Sequence, residues 1–545
     1  MSCGGLSISG EGLGRARDTY IRRRPEDTIL YGIVRQHLEN FLAEARQRSD
    51  GRGLPQFVDR EFREFLRCGV LAYGFARFRC YDCTREILVA FSCKGRGFCP
   101  SCCGRRMAEL AAHLVDGVLG GLPVRQWVLT LPYRLRYALA WDHRLCRAVL
   151  AVFVRAVLGF ERRRAAQRGI RGGVGGAVTA IQRFGSALNT NVHFHTLVVQ
   201  GVFVEKADGT LRFVPSPAPC DSDIVSLLAT VRRRIMRLVK RHGIDLEQPS
   251  TEDDSGDERL LEYPLYAKIQ GAAVVGRVAT GRRAGARVAR VGQSIYPTEP
   301  KANESLHAHI EGFDLHAAVA VPAGDRKRLE HLCRYALRPP LAQERLELTA
   351  DGKVVLRLRR TWRDGTRAIC FEPLELLEKL AAMIPKPRIN LLIYHGVLAP
   401  HARQRSAAVR RAHEGAQRER VSPGEGSAPG PVDLPGTAQG IETVTSGIAV
   451  AGPPGTGTSP RPPPGYTRPK HYAWADLLQR TFSIDILECP ECGGRLRFLA
   501  TIETRAIVEK ILRHLGLPVE APAPAPARGA GWLRGVDAPQ HWTGD

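Results

Sequence analysis

At 545 residues and 60.0 kDa, with 44% hydrophobic residues, the chain can bury more than one core and is too long for a single ordinary domain. Lysine and arginine number 79 against 55 acidic residues, and the net +24 favours a polyanionic partner, nucleic acid first, over acidic proteins or neutral small molecules. The start of the chain is Gly-rich and then Arg-rich without an apolar core, and the most apolar stretch, 145–160, is broken by Arg147 and Arg155, so neither a signal peptide nor a membrane span is expected.

In chain order, 18–121 alternates helical patterns with a cysteine cluster and reads as a small zinc-binding domain. From 122 to 403 runs a main α+β domain. Its strands are expected at 126–131, 177–184 and 192–204 and its helices at 223–242, 325–338 and 372–384, by the periods of two and of 3.6. Residues 404–468 are rich in Pro, Gly, Ser and Thr, with too few apolar side chains to offset the entropy of ordering, and read as a disordered linker. A small C-terminal module is expected over 469–518 and a loose Ala-Pro tail over 519–545.

The 14 cysteines fall most densely in C-x2-C pairs, which suits a reducing compartment and metal rather than a disulfide scaffold. Cys80 and Cys83 with Cys99 and Cys102 form a C-x2-C…C-x2-C array, where each pair places two thiolates on one turn and two turns close a tetrahedral Zn²⁺ site. Between them Glu86 to Phe91 reads as a strand. The loop around the array carries Lys94, Arg96, Arg105 and Arg106, cations suited to DNA. Cys93 and Cys103 are either alternative ligands or spare thiols, the spare reading being preferred. Cys489 and Cys492, followed by Gly493-Gly494, look like half of a second zinc knuckle, to be completed by His471, His514 or a partner chain.

His193 and His195 lie two apart in an apolar run, on one face of one strand, where two imidazoles can chelate a cation and would be costly to bury without a partner. If 177–184 pairs with this strand as a hairpin, Gln182 lies beside them. An amide oxygen with two imidazoles leaves positions open for water and phosphate, which suits Mg²⁺ or Mn²⁺ in phosphoryl transfer. The second copy of the motif, His307-Ala308-His309, lacks a β-pattern around it and is expected to be loop. In the helix over 325–338, Leu329, Leu332, Cys333, Ala336 and Leu337 form the apolar stripe. Tyr335 falls off it among Arg328, His331 and Arg338, either as a surface phenol or as a nucleophile among cations.

Taken together these residues resemble the HUH rolling-circle transposases of bacterial insertion sequences related to insertion sequence 91, including the common-region elements. The resemblance runs through Phe91 to Cys102, through Gln182-Arg183-Phe184-Gly185-Ser186-Ala187-Leu188-Asn189, through His193-Phe194-His195, through Cys333 to Pro340, through Tyr394 to Pro400 and through the Cys489 turn. It implies a ferredoxin-like HUH palm, an antiparallel sheet with the histidines on a central strand and the tyrosine helix beside it. It also implies a metal-dependent endonuclease and strand transferase for single-stranded element ends. Carried over by position, His193 and His195 are metal ligands with Gln182 as third. Tyr335 is the nucleophile that forms a 5′-phosphotyrosine. Arg183, Arg334 and Arg338, inside the same motifs, are expected to contact DNA. The implied setting is the bacterial cytoplasm, at the nucleoid.

Some members carry two tyrosines four residues apart, whereas the earlier position here is His331. A second cleavage then calls for a second active site, as a homodimer would give, or a free hydroxyl. His331 is either a proton shuttle or an exposed helix histidine. A replication initiator or relaxase would share the chemistry, but the chain lacks the G-x4-G-K-[ST] motif of the large helicase-bearing versions. A non-catalytic zinc-finger DNA-binding protein is the other alternative. The acidic cluster at 252–258 is too compact for the three spaced carboxylates of a DDE enzyme.

Overall fold

The structure is a computed structural model and describes residues 22–244, 262–293, 305–421, 473–482 and 485–527. The acidic cluster at 252–258, His471, residues 422–468 of the expected linker and the tail beyond 527 lie outside the described residues.

The N-terminal region holds α1 (Ile29–Gln47), α2 (Gln56–Arg67), the hairpin β1 (Phe75–Cys80) and β2 (Glu86–Ala90), and α3 (Pro100–Leu114). There follow β3 (Val124–Thr130), α4 (Tyr133–Trp141), α5 (His143–Gln167), β4 (Gly176–Phe184), β5 (Thr190–Val199), β6 (Gly201–Glu205), β7 (Leu211–Pro215), α6 (Asp221–Arg241) and α7 (Pro264–Val274). Next come β8 (Ala289–Val291), β9 (His307–Ile310), β10 (Phe313–His316), β11 (Ala320–Val321), α8 (Arg326–Leu337), β12 (Leu346–Leu348), β13 (Val354–Arg357), β14 (Ala368–Phe371) and α9 (Pro373–Met383). The chain continues through β15 (Leu392–Gly396) and α10 (Arg405–Val421) to α11 (Trp474–Phe482), β16 (Leu496–Ile502) and α12 (Arg505–His514).

An antiparallel sheet in the order β15-β4-β5-β3-β10-β9, with β11 also on β3, is the centre of the molecule. Period-two alternation divides its side chains. Trp127, Leu129, Val192, Phe194 and Val198 face α4, α5 and α6, and the Phe153 and Phe194 rings stack at 6.4 Å. Val124, Val178, Leu197 and Val199 face the other way, against Leu329, Leu332 and Cys333 of α8. This is the α+β, palm-like arrangement expected, with helices on both faces of an antiparallel sheet. The apolar run 192–204 is two strands rather than one, because Gly201, at φ +150°, turns the chain out of β5 into the β6-β7 hairpin.

Two smaller sheets flank this body: β12-β13-β14-β8, and β16-β1-β2. In the latter β16 pairs antiparallel with β1 over Phe75↔Ile502 to Cys80↔Leu496, so the C-terminal segment shares a sheet with the N-terminal one. Two expectations are corrected. His307-Ala308-His309 is strand β9, not loop, because β10 pairs with it and brings Asp314 to its histidines. His307 Nε2 lies 2.8 Å from Asp314 Oδ2. Residues 405–421, read as the start of the linker, form α10, whose Ala408 and Ala412 are fully buried against the sheet's α8 side. Among the described residues no helix is long and apolar enough to cross a membrane.

Candidate functional site

Strand β5 is central, between β4 and β3, and its register sets Gln182 opposite His193 and Ala180 opposite His195. Both histidines point toward α8 and are buried, 8% and 3% exposed. His193 Nδ1 stands 2.8 Å from the Asn191 carbonyl, which can only accept, so Nδ1 carries the proton and Nε2 a bare lone pair. That Nε2 lies 3.1 Å from His195 Nε2, and His195 Nδ1 lies 2.9 Å from the Gln126 amide. Burial, reinforced by Arg338 and Arg136, pushes the His193 imidazole down to about 4 against the pull of the Asn191 bond. Burial, His193 and Arg338 hold His195 well below the ordinary range. Both rings are therefore neutral at pH 7, as metal ligands must be.

The residues present fit a divalent cation. Two Nε2 atoms converge, and Gln126 can face His195 with either its NH2 or its oxygen, so turning the amide lets Nδ1 keep the proton and frees the second Nε2 lone pair. Gln182 adds an oxygen as the third donor. Its Nε2 donates to the carbonyls of Ala336 (2.8 Å) and Tyr335 (3.3 Å), while its buried Oε1 has no hydrogen-bond partner. An orphaned buried acceptor beside two converging imidazoles is a donor set for a cation. Among the described residues no carboxylate joins it, so a 2+ ion here would keep most of its charge for an anionic substrate.

Helix α8 begins at Asp325, whose carboxylate accepts from Arg328 N at 3.0 Å, and ends before Pro339-Pro340. Its apolar stripe is buried as expected, and Tyr335 is 44% exposed at the rim of the histidine site. The Tyr335 and His195 rings meet edge to face at 5.8 Å, and the Arg338 guanidinium lies 4.7 Å from the Tyr335 ring centroid. Burial, with Arg359 and Arg338 close by, pushes the Arg345 guanidinium down to about 10. Arg338 and Arg359 stand beside the tyrosine and Arg345 beside those two, a concentration of positive charge that a phosphate chain would relieve. His331 is exposed one turn back.

Of the other cations read from sequence, Lys94 is exposed and Arg96 half-buried on a turn that walls a cleft of about 290 Å³, with Arg60, Lys386 and Arg388 opposite. Arg105 and Arg106 are half-buried on α3, and Arg106 donates to the Lys94 carbonyl at 3.3 Å. Arg334 pairs with Glu330 at 2.5 Å on its own helix. Arg183 is the exception. A bulge between Gln182 and Phe184 and the alternation of β4 turn it to the α4 side, where it is 7% exposed and donates to the Ala140 carbonyl at 2.9 Å. Buried there, it braces the fold from the side of the sheet opposite the histidines.

The cysteines divide differently from the sequence reading. Cys99 and Cys102 join Cys68 and Cys93, and Cys80 and Cys83 join Cys489 and Cys492. In each group the four sulfurs lie within 4.8 Å of one another. The reason is topological: β1 carries Cys80 and Cys83 away from α3 and toward β16, while α2 delivers Cys68 to the start of α3. Sulfur separations of 3.4 Å for Cys93–Cys102 and 3.7 Å for Cys68–Cys102 and Cys68–Cys99 approach the roughly 3.8 Å edge of a tetrahedron built on Zn–S bonds of about 2.3 Å. Cys93, preferred as a spare thiol, is inside the first group. Cys103 is outside it, its thiol pushed up to about 12 by burial and by Cys102. Cys68 was missed, for it stands 25 residues before the next member of its own group and in no C-x2-C pair. Gln126 was missed too; its one signal was a polar residue two positions before Val128 inside an apolar strand.

The antiparallel palm, its paired histidines with a tyrosine at their rim, and the thiolate clusters beside them lie within or next to two stretches that match transposase family models. Residues 176–406 match the family model described as "Putative transposase", and residues 33–131 match that of a transposase zinc-binding domain. The two matches are those of a transposase of the insertion sequence 91 type, with its zinc-binding domain toward the N-terminus. DNA is thereby its partner, and the domain match and the cysteine geometry together support Zn²⁺. No curated protein and no solved structure matches the chain.

Proposed function

We propose that this transposase cuts and rejoins single-stranded DNA at the ends of its element by HUH chemistry, with Tyr335 as nucleophile, in rolling-circle-like transposition. The observation that carries the reading is the convergence of the His193 and His195 Nε2 atoms at 3.1 Å, with the partnerless Gln182 oxygen beside them and Tyr335 on the helix that Gln182 holds.

A Mg²⁺ or Mn²⁺ ion held by His193, His195 and Gln182 would polarise a phosphoryl oxygen and stabilise the charge that builds there. The Tyr335 phenolic oxygen forms the bond to phosphorus, and the bond from phosphorus to the 3′-oxygen breaks. The phenolic proton leaves for solvent or for His331, and the departing 3′-oxygen takes up a proton, so a 5′-phosphotyrosine and a free 3′-hydroxyl result without an external energy source. Attack by a 3′-hydroxyl on the phosphotyrosine reverses the step and rejoins strands. Gln182 fixes the end of α8 through the Tyr335 and Ala336 carbonyls, and Arg338, Arg345 and Arg359 hold the phosphates on either side. With one nucleophilic tyrosine per chain, the second cleavage falls to a second protomer.

Incubation with labelled single-stranded element ends and Mn²⁺ is expected to give a covalent adduct that maps to Tyr335. Tyr335→Phe should bind the same DNA with unchanged affinity and form no adduct, and His193→Ala should abolish the metal requirement together with the reaction. Binding without an adduct on any end would leave a DNA-binding protein and overturn the catalytic reading.

A further inference from the structure

The family matches end at residue 406, yet the structure draws a segment from far beyond that point back onto the N-terminal sheet. Cys80 Sγ lies 3.5 Å from Cys492 Sγ, and Cys83 Sγ lies 3.5 Å from Cys489 Sγ, across more than 400 residues of chain. These separations are far too long for disulfides and close to the tetrahedral edge of a four-thiolate site. The two turns are matched to each other. Arg85 on one pairs with Glu491 on the other at 2.7 Å, and a Cβ at Gly494 would run into the Asp82 carboxylate. Gly494 N also donates to Cys492 Sγ at 3.4 Å, the amide-to-sulfur bond of a zinc knuckle.

A few residues before this turn, Arg480 on α11 reaches the tyrosine helix. Its Nη2 and Nε stand 2.7 and 2.9 Å from Glu330 Oε2, and its guanidinium also pairs with Asp116, which pairs in turn with Arg326. Glu330 and Arg326 belong to α8, so two carboxylates and one guanidinium tie the C-terminal segment to the element that carries Tyr335.

We infer that Cys80, Cys83, Cys489 and Cys492 bind a zinc ion of their own, separate from that of Cys68, Cys93, Cys99 and Cys102, and that this ion clasps the C-terminal segment so that Arg480 positions α8. Four thiolates in tetrahedral reach select zinc, with iron as the chemical competitor. The ion closes a loop of about 400 residues, a constraint that removes freedom from the unfolded and partly opened chain. The site stands on its geometry alone; its consequence for cleavage rests on Tyr335 being the nucleophile.

Elemental analysis of the full-length protein is expected to give two zinc ions per chain and no iron. Cys489→Ser with Cys492→Ser should leave one, Cys99→Ser with Cys102→Ser should also leave one, and Cys492→His, which keeps a ligand, should retain two. A parent with a single zinc, iron in the second position, or two ions retained in the Cys489/Cys492 double variant would overturn the site. Hydrogen exchange reads the positioning without any DNA. Amides of 326–337 should exchange at least tenfold faster in the double variant and in Arg480→Ala than in the parent, and Cys492→His should restore protection. Unchanged exchange in α8 would overturn the positioning role. Since neither readout involves cleavage, failure of this inference and failure of the HUH reading are separable.

Discussion

Glu161 sits on α5 with 2% of its surface exposed, and its Oε2 has no hydrogen-bond partner. Burial pushes its carboxyl up from 4.5 to about 7, against the opposing pull of Ser216, Arg164 and Arg125. The folded chain therefore keeps a proton that the unfolded chain releases between pH 4.5 and 7, so stability falls as pH rises through that window and stays lowered above it. Glu161→Gln removes the charge at nearly constant shape. It is expected to leave stability unchanged near pH 4 and to raise it above pH 7 by up to about 3 kcal/mol. Urea unfolding at pH 4, 6 and 8 measures this, and equal curves for parent and variant at pH 8 would dismiss it. The same scale shows what a sequence discloses of single residues. His193, His195 and Gln182 were legible because period two and hairpin pairing are local rules. Gln126 was not, since its partner His195 sits on a neighbouring strand 69 residues away and no local pattern marks that meeting. Arg183 misled for a related reason: a bulge and a face, not its charge, decide where it points.

Helix α8 shows how an element converts propensity into position. Its stripe of Leu329, Leu332, Cys333 and Ala336 buries against the sheet, Asp325 caps one end, and the Pro pair stops the other just past the tyrosine. The cap satisfies an amide that would otherwise lack a partner, so Asp325→Ala is expected to cost about 1 kcal/mol of stability. Thermal unfolding tests it, and Asp325→Asn, which keeps the acceptor, should recover most of the loss; equal melting of Ala and Asn variants would reject the cap. Elements of this kind were readable from sequence nearly to their ends, because 3.6-residue stripes and period-two runs report burial directly. What escaped were elements defined by remote partners. β9 is a strand only because β10 returns beside it, and β16 belongs to the N-terminal sheet only because β1 offers it an edge. The cysteine pairs obey the same limit. C-x2-C spacing announces a pair of ligands but says nothing about which other pair it will meet.

Across the whole molecule the excess of 24 positive charges does not by itself count DNA contacts, since many cations are engaged within the fold. Three arginine-rich stretches, 162–171, 232–241 and 282–290, each commit at least one member: Arg164 to Asp223, Arg232 to Glu311, and Arg283 to Glu375. The cations with a site-related disposition are fewer. They are Lys94, Arg96, Arg60, Lys386 and Arg388 at the zinc-side cleft, and Arg338 and Arg359 beside Tyr335 with Arg345 next to them. If about five of these neutralise phosphates, the affinity for a single strand should fall with salt at a logarithmic slope of about −3.5, or about 100-fold between 50 and 200 mM. Fluorescence anisotropy of a labelled single-stranded oligonucleotide over that range gives the slope. Arg359→Ala should flatten it by about 0.7, whereas Arg183→Gln, which removes a charge at a buried site, should leave it unchanged. A slope near −1 would mean that the arginines beside the tyrosine do not hold the backbone, and a smaller slope in Arg183→Gln would put that residue back at the DNA surface.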